Sequence, residues 1–174
     1  MTRIARLDAA AARTALDDLA ELLWDSVDGG ASVNFVKPFG RDEARDFWLR
    51  VIDSMAAGGT VMLAAQDEAG RIAGTVLLGL DTPPNQTHRA DVKKLLVHRR
   101  ARRQGLARLL MQAVEQEARQ RNRRLLTLDT EGGSIADGFY PALGYVRFGC
   151  VPGYAMTADG SRLADCAFFY KILA

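Results

Sequence analysis

Arg99, Arg100, Arg102 and Arg103 crowd into one turn and are followed at once by Gln104, Gly105, Leu106 and Ala107. A turn of this kind at the head of an amphipathic helix can hold an anion. The first N–H groups of a helix have no acceptor one turn back, and the helix dipole adds positive potential where they point. Gly105 and the small Ala107 leave room for a phosphate oxygen to approach the backbone. All four arginines are expected to add charge at that place. Two other readings stay open on these residues alone: a solvated basic turn that only caps a helix, and contacts to a nucleic-acid backbone. A Rossmann dinucleotide site is disfavoured, because the G-x-G-x-x-G pattern is absent.

Carboxylates form the second group. Asp91 opens a β segment, Asp129 ends an apolar one, and Glu131 follows it. Acidic residues are scarce near sheet centres, so these positions merit attention as proton acceptors or cation sites. Each can equally cap a strand end or pair with Arg89 or Lys93. An aspartate at its ordinary pKa of about 3.9 is a poor base for an ammonium, so burial or a water relay would be required. Cys150 and Cys166 sit outside any nucleophile constellation and lack metal-ligand spacing, so no metal is expected. His88 and His98 read as surface residues, His98 facing solvent. Trp24 and Trp48 read as core or pocket wall.

The elements that must position these groups alternate strand and helix. A short strand at residues 3–6 precedes a helix capped by Asp8 and running to about 25, where Gly29 and Gly30 stop it. Residues 31–40, with Pro38 and Gly40, read as a loop. A second helix spans 41–57. Strands 60–65 and 71–80 form a hairpin around QDEAG, and 91–97 is a third β segment. The helix at 105–121 carries one apolar face of Leu106, Leu109, Leu110, Ala113, Val114 and Ala118. LLTLD is a two-sided apolar strand of the central parallel kind. A short helix at 134–143 and strands at 145–150 and 166–172 follow. This order requires a mixed sheet covered by helices, because parallel neighbours need crossovers.

With 174 residues, 48% hydrophobic and 25% charged, the chain is expected to form one domain over 1–174. A net charge of +2 does not favour a nucleic-acid partner. The opening MTRIARLDAA resembles no signal peptide, and no stretch approaches the roughly 20 apolar residues of a membrane helix. A cytoplasmic protein with reduced thiols and no membrane partner is the expectation.

Arg102-x-x-Gly105-x-Ala107 resembles the R/Q-x-x-G-x-G/A signature of GNAT acetyltransferases, in which loop amides cradle the CoA pyrophosphate. Phe139-Tyr140-Pro141-Ala142-Leu143-Gly144-Tyr145 is similar to that family's second signature. GGASVNF, HRADVKKLLV, LDTEGGSIADGFYPALGY and PGYAMTADG to FFYKIL together resemble the tabtoxin-resistance branch over nearly the whole chain. Gly133 stands where many members carry asparagine, and Ala107 where a glycine is common.

The resemblance implies a GNAT fold of the α/β (α+β) class. Its central sheet would be mixed and mostly antiparallel, with a splayed parallel strand pair and flanking helices. It implies acetyl-CoA as donor and a small amine as acceptor, an amino-acid-like toxin or antibiotic among the candidates. A peptide acceptor and a non-catalytic CoA-binding module are the rivals. Amide formation from a thioester needs a base, an oxyanion donor and an acid. Tyr140 matches the family's acid, and the branch places acidic catalytic residues at Asp91 and Asp129. The donor would lie along Leu95, Leu96 and Val97, with an oxyanion donor among their amides, and along Arg102, Arg103, Gln104, Gly105, Leu106, Ala107 and Arg108. Phe35 and Tyr154 sit in segments that match the branch, read as loops, and are expected to line the acceptor pocket. A homodimer is possible.

Overall fold

The computed structural model describes residues 3–174. Strand β1 (Arg3–Leu7) leads into α1 (Ala9–Thr14), which Asp8 caps by accepting the Ala11 N–H at 2.7 Å. The single helix expected from Asp8 to about 25 is divided. At Ala15 the backbone leaves helical geometry (φ −90°, ψ 15°), and α2 (Leu16–Asp28) starts afresh. The Thr14 hydroxyl donates to the Ala10 carbonyl at 3.1 Å, a back-bond of the kind that bends helices. Helix α3 (Arg41–Ala56) begins where Glu43 accepts the Gly40 N–H at 2.9 Å.

Strands β2 (Thr60–Gln66) and β3 (Ile72–Gly79) make the expected hairpin. They are followed by β4 (Arg89–Val97), α4 (Leu106–Gln120), β5 (Leu125–Glu131), α5 (Ile135–Phe139), β6 (Val146–Met156) and β7 (Leu163–Ile172). The last two strands are longer than the sequence suggests. Pro152 and Gly153 read as a turn, yet β6 carries on through them with a register shift between Val151 and Ala155. As the outermost strand it tolerates a missing N–H.

The sheet order is β1-β2-β3-β4-β5-β7-β6. Every neighbouring pair is antiparallel except β4–β5. This is the mixed, helix-flanked GNAT-like architecture. One core cluster, with Leu110, Met111, Val114, Leu126 and Phe169, lies between the sheet and α4. The other, with Leu19, Leu22, Leu23, Trp48 and Ile52, lies under α1, α2 and α3. The paired part of β4 and β5 sits between these layers.

Candidate active site

β4 and β5 pair at only three positions, Arg89 with Leu125, Ala90 with Leu126 and Asp91 with Thr127. Beyond Asp91 the two strands diverge. β4 also bulges, its register against β3 shifting between Thr75 and Leu77, with Lys94 at φ +50°. The divergence opens a cleft of about 890 Å³. Its walls include residues 92–97 of β4, Asp129 and Glu131 of β5, Ala107 and Tyr140 on the α4 side, and Phe47 and Arg50 of α3 on the other.

The anion turn occupies one end. The His98 N–H donates to the Ala73 carbonyl at 2.9 Å, ending β4. By strand alternation Val97 and Leu95 then turn their backbone groups toward the gap, and the Val97 carbonyl accepts from Arg102 Nε at 3.1 Å. Left-handed backbone at Arg103 (φ +62°) and Gly105 (φ +77°) swings the chain into α4. An added Cβ at Gly105 would meet nothing within 4 Å, so the approach is open. The first helical bond is Leu109 N–H to Gly105 O at 3.2 Å, so the amides of Leu106, Ala107 and Arg108 have no acceptor one turn back. Leu106 buries its side chain in the core and offers only its backbone, while Gln104 and Arg108 are exposed.

The arginines divide into two pairs, against the expectation that all four serve the anion. Arg99 donates its backbone N–H to Asp25 at 2.9 Å, and its guanidinium pairs with Asp25 and, at 2.7 Å, with Asp28. Arg100 donates to the Ile72 carbonyl at 2.9 Å and pairs with Asp67. Arg102 lines the cleft. Arg103 is exposed, with no ion pair among the described residues. Two arginines therefore fasten the turn by ion pairs, whereas Arg102, bonded once to the Val97 carbonyl, and Arg103 have no ion pair among the described residues. His98 is not solvent-facing: its side chain is 12% exposed, its Nδ1 accepts the Arg100 N–H at 3.1 Å, and burial pushes its pKa down.

Tyr140 lines the cleft, buried against Phe139, Tyr145 and Phe169. Burial, reinforced by the Asp129 charge, pushes its phenol up to about 12. Asp129 is exposed into the cleft and accepts a weak bond from Cys166 Sγ at 3.6 Å. Burial, then that carboxylate, push the Cys166 thiol up to about 11, so it is an un-ionised group and a poor nucleophile. Asp91 sits where the strands still pair. Its Oδ1 accepts from Arg89 at 2.6 Å and from the Thr127 hydroxyl at 2.5 Å, and it is absent from the cleft wall. Glu131 lines the cleft and pairs with Arg162 at 3.2 Å.

Phe35 is in the α2–α3 loop, stacked on Phe39 and edge-on to Phe47, and so stands behind the wall rather than in it. Tyr154 is on strand β6, not in a loop. It is exposed and packs on Phe168, outside the cleft wall. Sequence reasoning passed over Lys94, which lines the cleft with its Nζ beside the Phe35 and Phe47 rings, and Asp25, which braces the anion turn. Among the described residues no three His, Cys, Asp or Glu side chains gather in a metal-binding cluster.

Residues 16–145 match the acetyltransferase (GNAT) family. The chain belongs to that family. Solved structures that share its fold include an N-acetyltransferase from Staphylococcus aureus Mu50, 19% identical, with a TM-score of 0.81 over 100% of this chain and 99% of that one. A ribosomal-protein-alanine N-acetyltransferase from Brucella melitensis is 23% identical, with a TM-score of 0.78 over 98% and 99%. YncA from Salmonella typhimurium, solved with its cofactor acetyl-CoA, is 18% identical, with a TM-score of 0.77 over 100% and 95%. At these identities the likeness is one of fold. The open loop, whose first helical amides have no acceptor among the described residues, has room and polarity for an anion such as a pyrophosphate.

Proposed function

We propose that this protein is an N-acetyltransferase that moves the acetyl group of acetyl-CoA directly to the amine of a small molecule. The observation that carries this reading is the cleft itself. Its wall joins a helix N-terminus with free amides, which suits a pyrophosphate, to one neutral phenol and one exposed carboxylate.

The α4 amides with Arg102 and Arg103 would hold the pyrophosphate. The Val97 or Leu95 N–H, facing the gap, would donate to the thioester oxygen as it gains charge. Tyr140 keeps its proton at every working pH, so its hydroxyl is always available to the sulfur. A phenol at about 12 is a weaker acid than a thiol near 8.5, so its main contribution is a hydrogen bond to the departing thiolate. Asp129 would attract the acceptor's ammonium and take its proton through water. Asp91, already engaged by Arg89 and Thr127, would act at most by fixing the closed end of the seam. The protonated Cys166 supports direct transfer over an acyl-enzyme.

The internal pairing of Arg99 and Arg100 weighs against a nucleic-acid module, since half the arginine run is committed to the fold. The branch resemblance supports a small acceptor, a toxin or antibiotic among them, over a peptide. Exposed Phe148, Leu163 and Ile172 on β6 and β7 support pairing of two chains, which sedimentation would measure. The deciding experiment is thiol release from acetyl-CoA with a panel of amino acids, polyamines, aminoglycosides and peptides. Release with a small amine upholds the reading; release with peptides alone, or with none, removes it.

A further inference from the structure

Adjacent residues in a regular strand point to opposite faces. The bulge in β4 breaks that rule at Lys93 and Lys94. Lys93 opposes Leu77 of the core under α2 and α3, and Lys94 points the same way, its Nζ 5.5 Å from the Phe35 ring and 5.2 Å from the Phe47 ring. The re-aiming requires left-handed backbone at Lys94, which a lysine rarely adopts and which clusters at functional sites. Arg50 of α3 lines the same stretch of the cleft.

These cations are poorly neutralised. Lys94 Nζ makes one hydrogen bond among the described residues, to the Val33 carbonyl at 2.8 Å, which leaves two of its N–H groups unused. Neither Lys93 nor Arg50 has an ion pair among the described residues. Of the two carboxylates in the wall, Glu131 is taken by Arg162 at 3.2 Å, which leaves Asp129. The α3 side of the cleft is thus positive, across from one carboxylate suited to an ammonium.

We propose that the acceptor carries an anionic group, a carboxylate or a phosphonate, beside its amine, and that Lys94, assisted by Arg50 and Lys93, binds it. This inference rests on the acetyl-transfer reading and names its substrate class. Burial pushes Lys94 down to about 8, and an anionic partner would restore its charge.

The test compares kcat/KM for matched acceptors: an α-amino acid with its carboxamide, and an aminophosphonate with the plain amine. In the wild type the anionic member should be favoured roughly 10- to 100-fold, the range of a hydrogen bond to a charged group. The ratio should fall to near unity in Lys94→Met and persist in Lys94→Arg. Lys94→Asn removes the charge with a residue that accepts left-handed backbone, so it covers the case in which the methionine variant misfolds. A lysine that merely ties the α2–α3 loop would lower both members alike and leave the ratio intact. A ratio near unity in the wild type, or one unchanged without the charge, overturns the proposal. If no amine is acetylated although acetyl-CoA binds, the transfer reading fails by itself. Calorimetry of the same pairs on the CoA-loaded protein then decides. Anion-selective binding lost in Lys94→Asn upholds the site, and unselective or absent binding overturns it.

Discussion

Asp25, buried in α2, accepts the backbone N–H of Arg99 at 2.9 Å and pairs with its guanidinium, so a helix under the sheet fixes the turn that opens α4. Asp25→Ala leaves that partly buried N–H without an acceptor. The guanidinium is half exposed and can be rehydrated, so the cost should be about 1–3 kcal/mol, readable in urea melts. Affinity for CoA should fall too, although Asp25 is absent from the cleft wall. Unchanged affinity would mean that the turn holds its shape without this brace.

Gly105→Glu places a carboxylate where the pyrophosphate is expected and forces a side chain into left-handed backbone at φ +77°. Stability should drop by about 1–2 kcal/mol, the cost of that conformation for a residue with a Cβ. CoA affinity should drop far more than the melting temperature indicates. Calorimetry showing wild-type affinity would remove the anion site from this loop.

Tyr140→Phe deletes a hydroxyl that lines the cleft and little else. The turnover number should fall by roughly 10- to 100-fold, the range of a hydrogen bond to a charged group, while affinity for acetyl-CoA and stability hardly move. The tyrosine is pushed up to about 12, so no alkaline loss of activity below about pH 11 belongs to it. Full turnover in the variant would show that the departing thiolate needs no hydrogen bond from Tyr140.

The two aspartates should separate. Asp129→Asn removes the wall carboxylate that has no ion pair among the described residues, and kcat/KM for the amine should fall by roughly 10²-fold or more with CoA binding spared. Asp91→Asn loosens contacts to Arg89 and Thr127, so its effect should be on stability, about 1 kcal/mol. If the two act as one unit on the amine, both single variants will be equally impaired and the double no worse. That outcome would make Asp91 an equal partner in the proton transfer.

Lys94 supplies a pH dependence. Burial holds it down to about 8, Lys93 adds to the depression, and Asp129 opposes it. The ammonium is therefore present below about pH 8 and lost above it. Preference in kcat/KM for an anionic acceptor over its neutral partner should be flat at lower pH and decline as pH rises through 8. A preference that grows with pH would show that another cation reads the anion.

The parts of this site visible in the sequence are those written locally. Gly105 before an amphipathic helix, and a two-sided apolar strand ending in Asp129, speak through their neighbours. The arginine run was only half legible, because composition counts charges and cannot see their partners. Arg99 finds Asp25 across 74 positions. Lys94 left no trace either, since a regular strand would have turned it away from Lys93 and the bulge arises from pairing with β3. Pro152 and Gly153 concealed half of β6 for a related reason: a residue poor in strand propensity is tolerated on an outermost strand, and sequence does not reveal which strand is outermost.

The three-residue seam between β4 and β5 has a mechanical consequence. The sheet amounts to two plates, β1 to β4 on one side and β5, β7 and β6 on the other, stitched along one short edge. A small change of angle at that stitch would widen or narrow the gap without breaking a hydrogen bond inside either plate. A change of angle at the seam therefore acts directly on the width of the cleft.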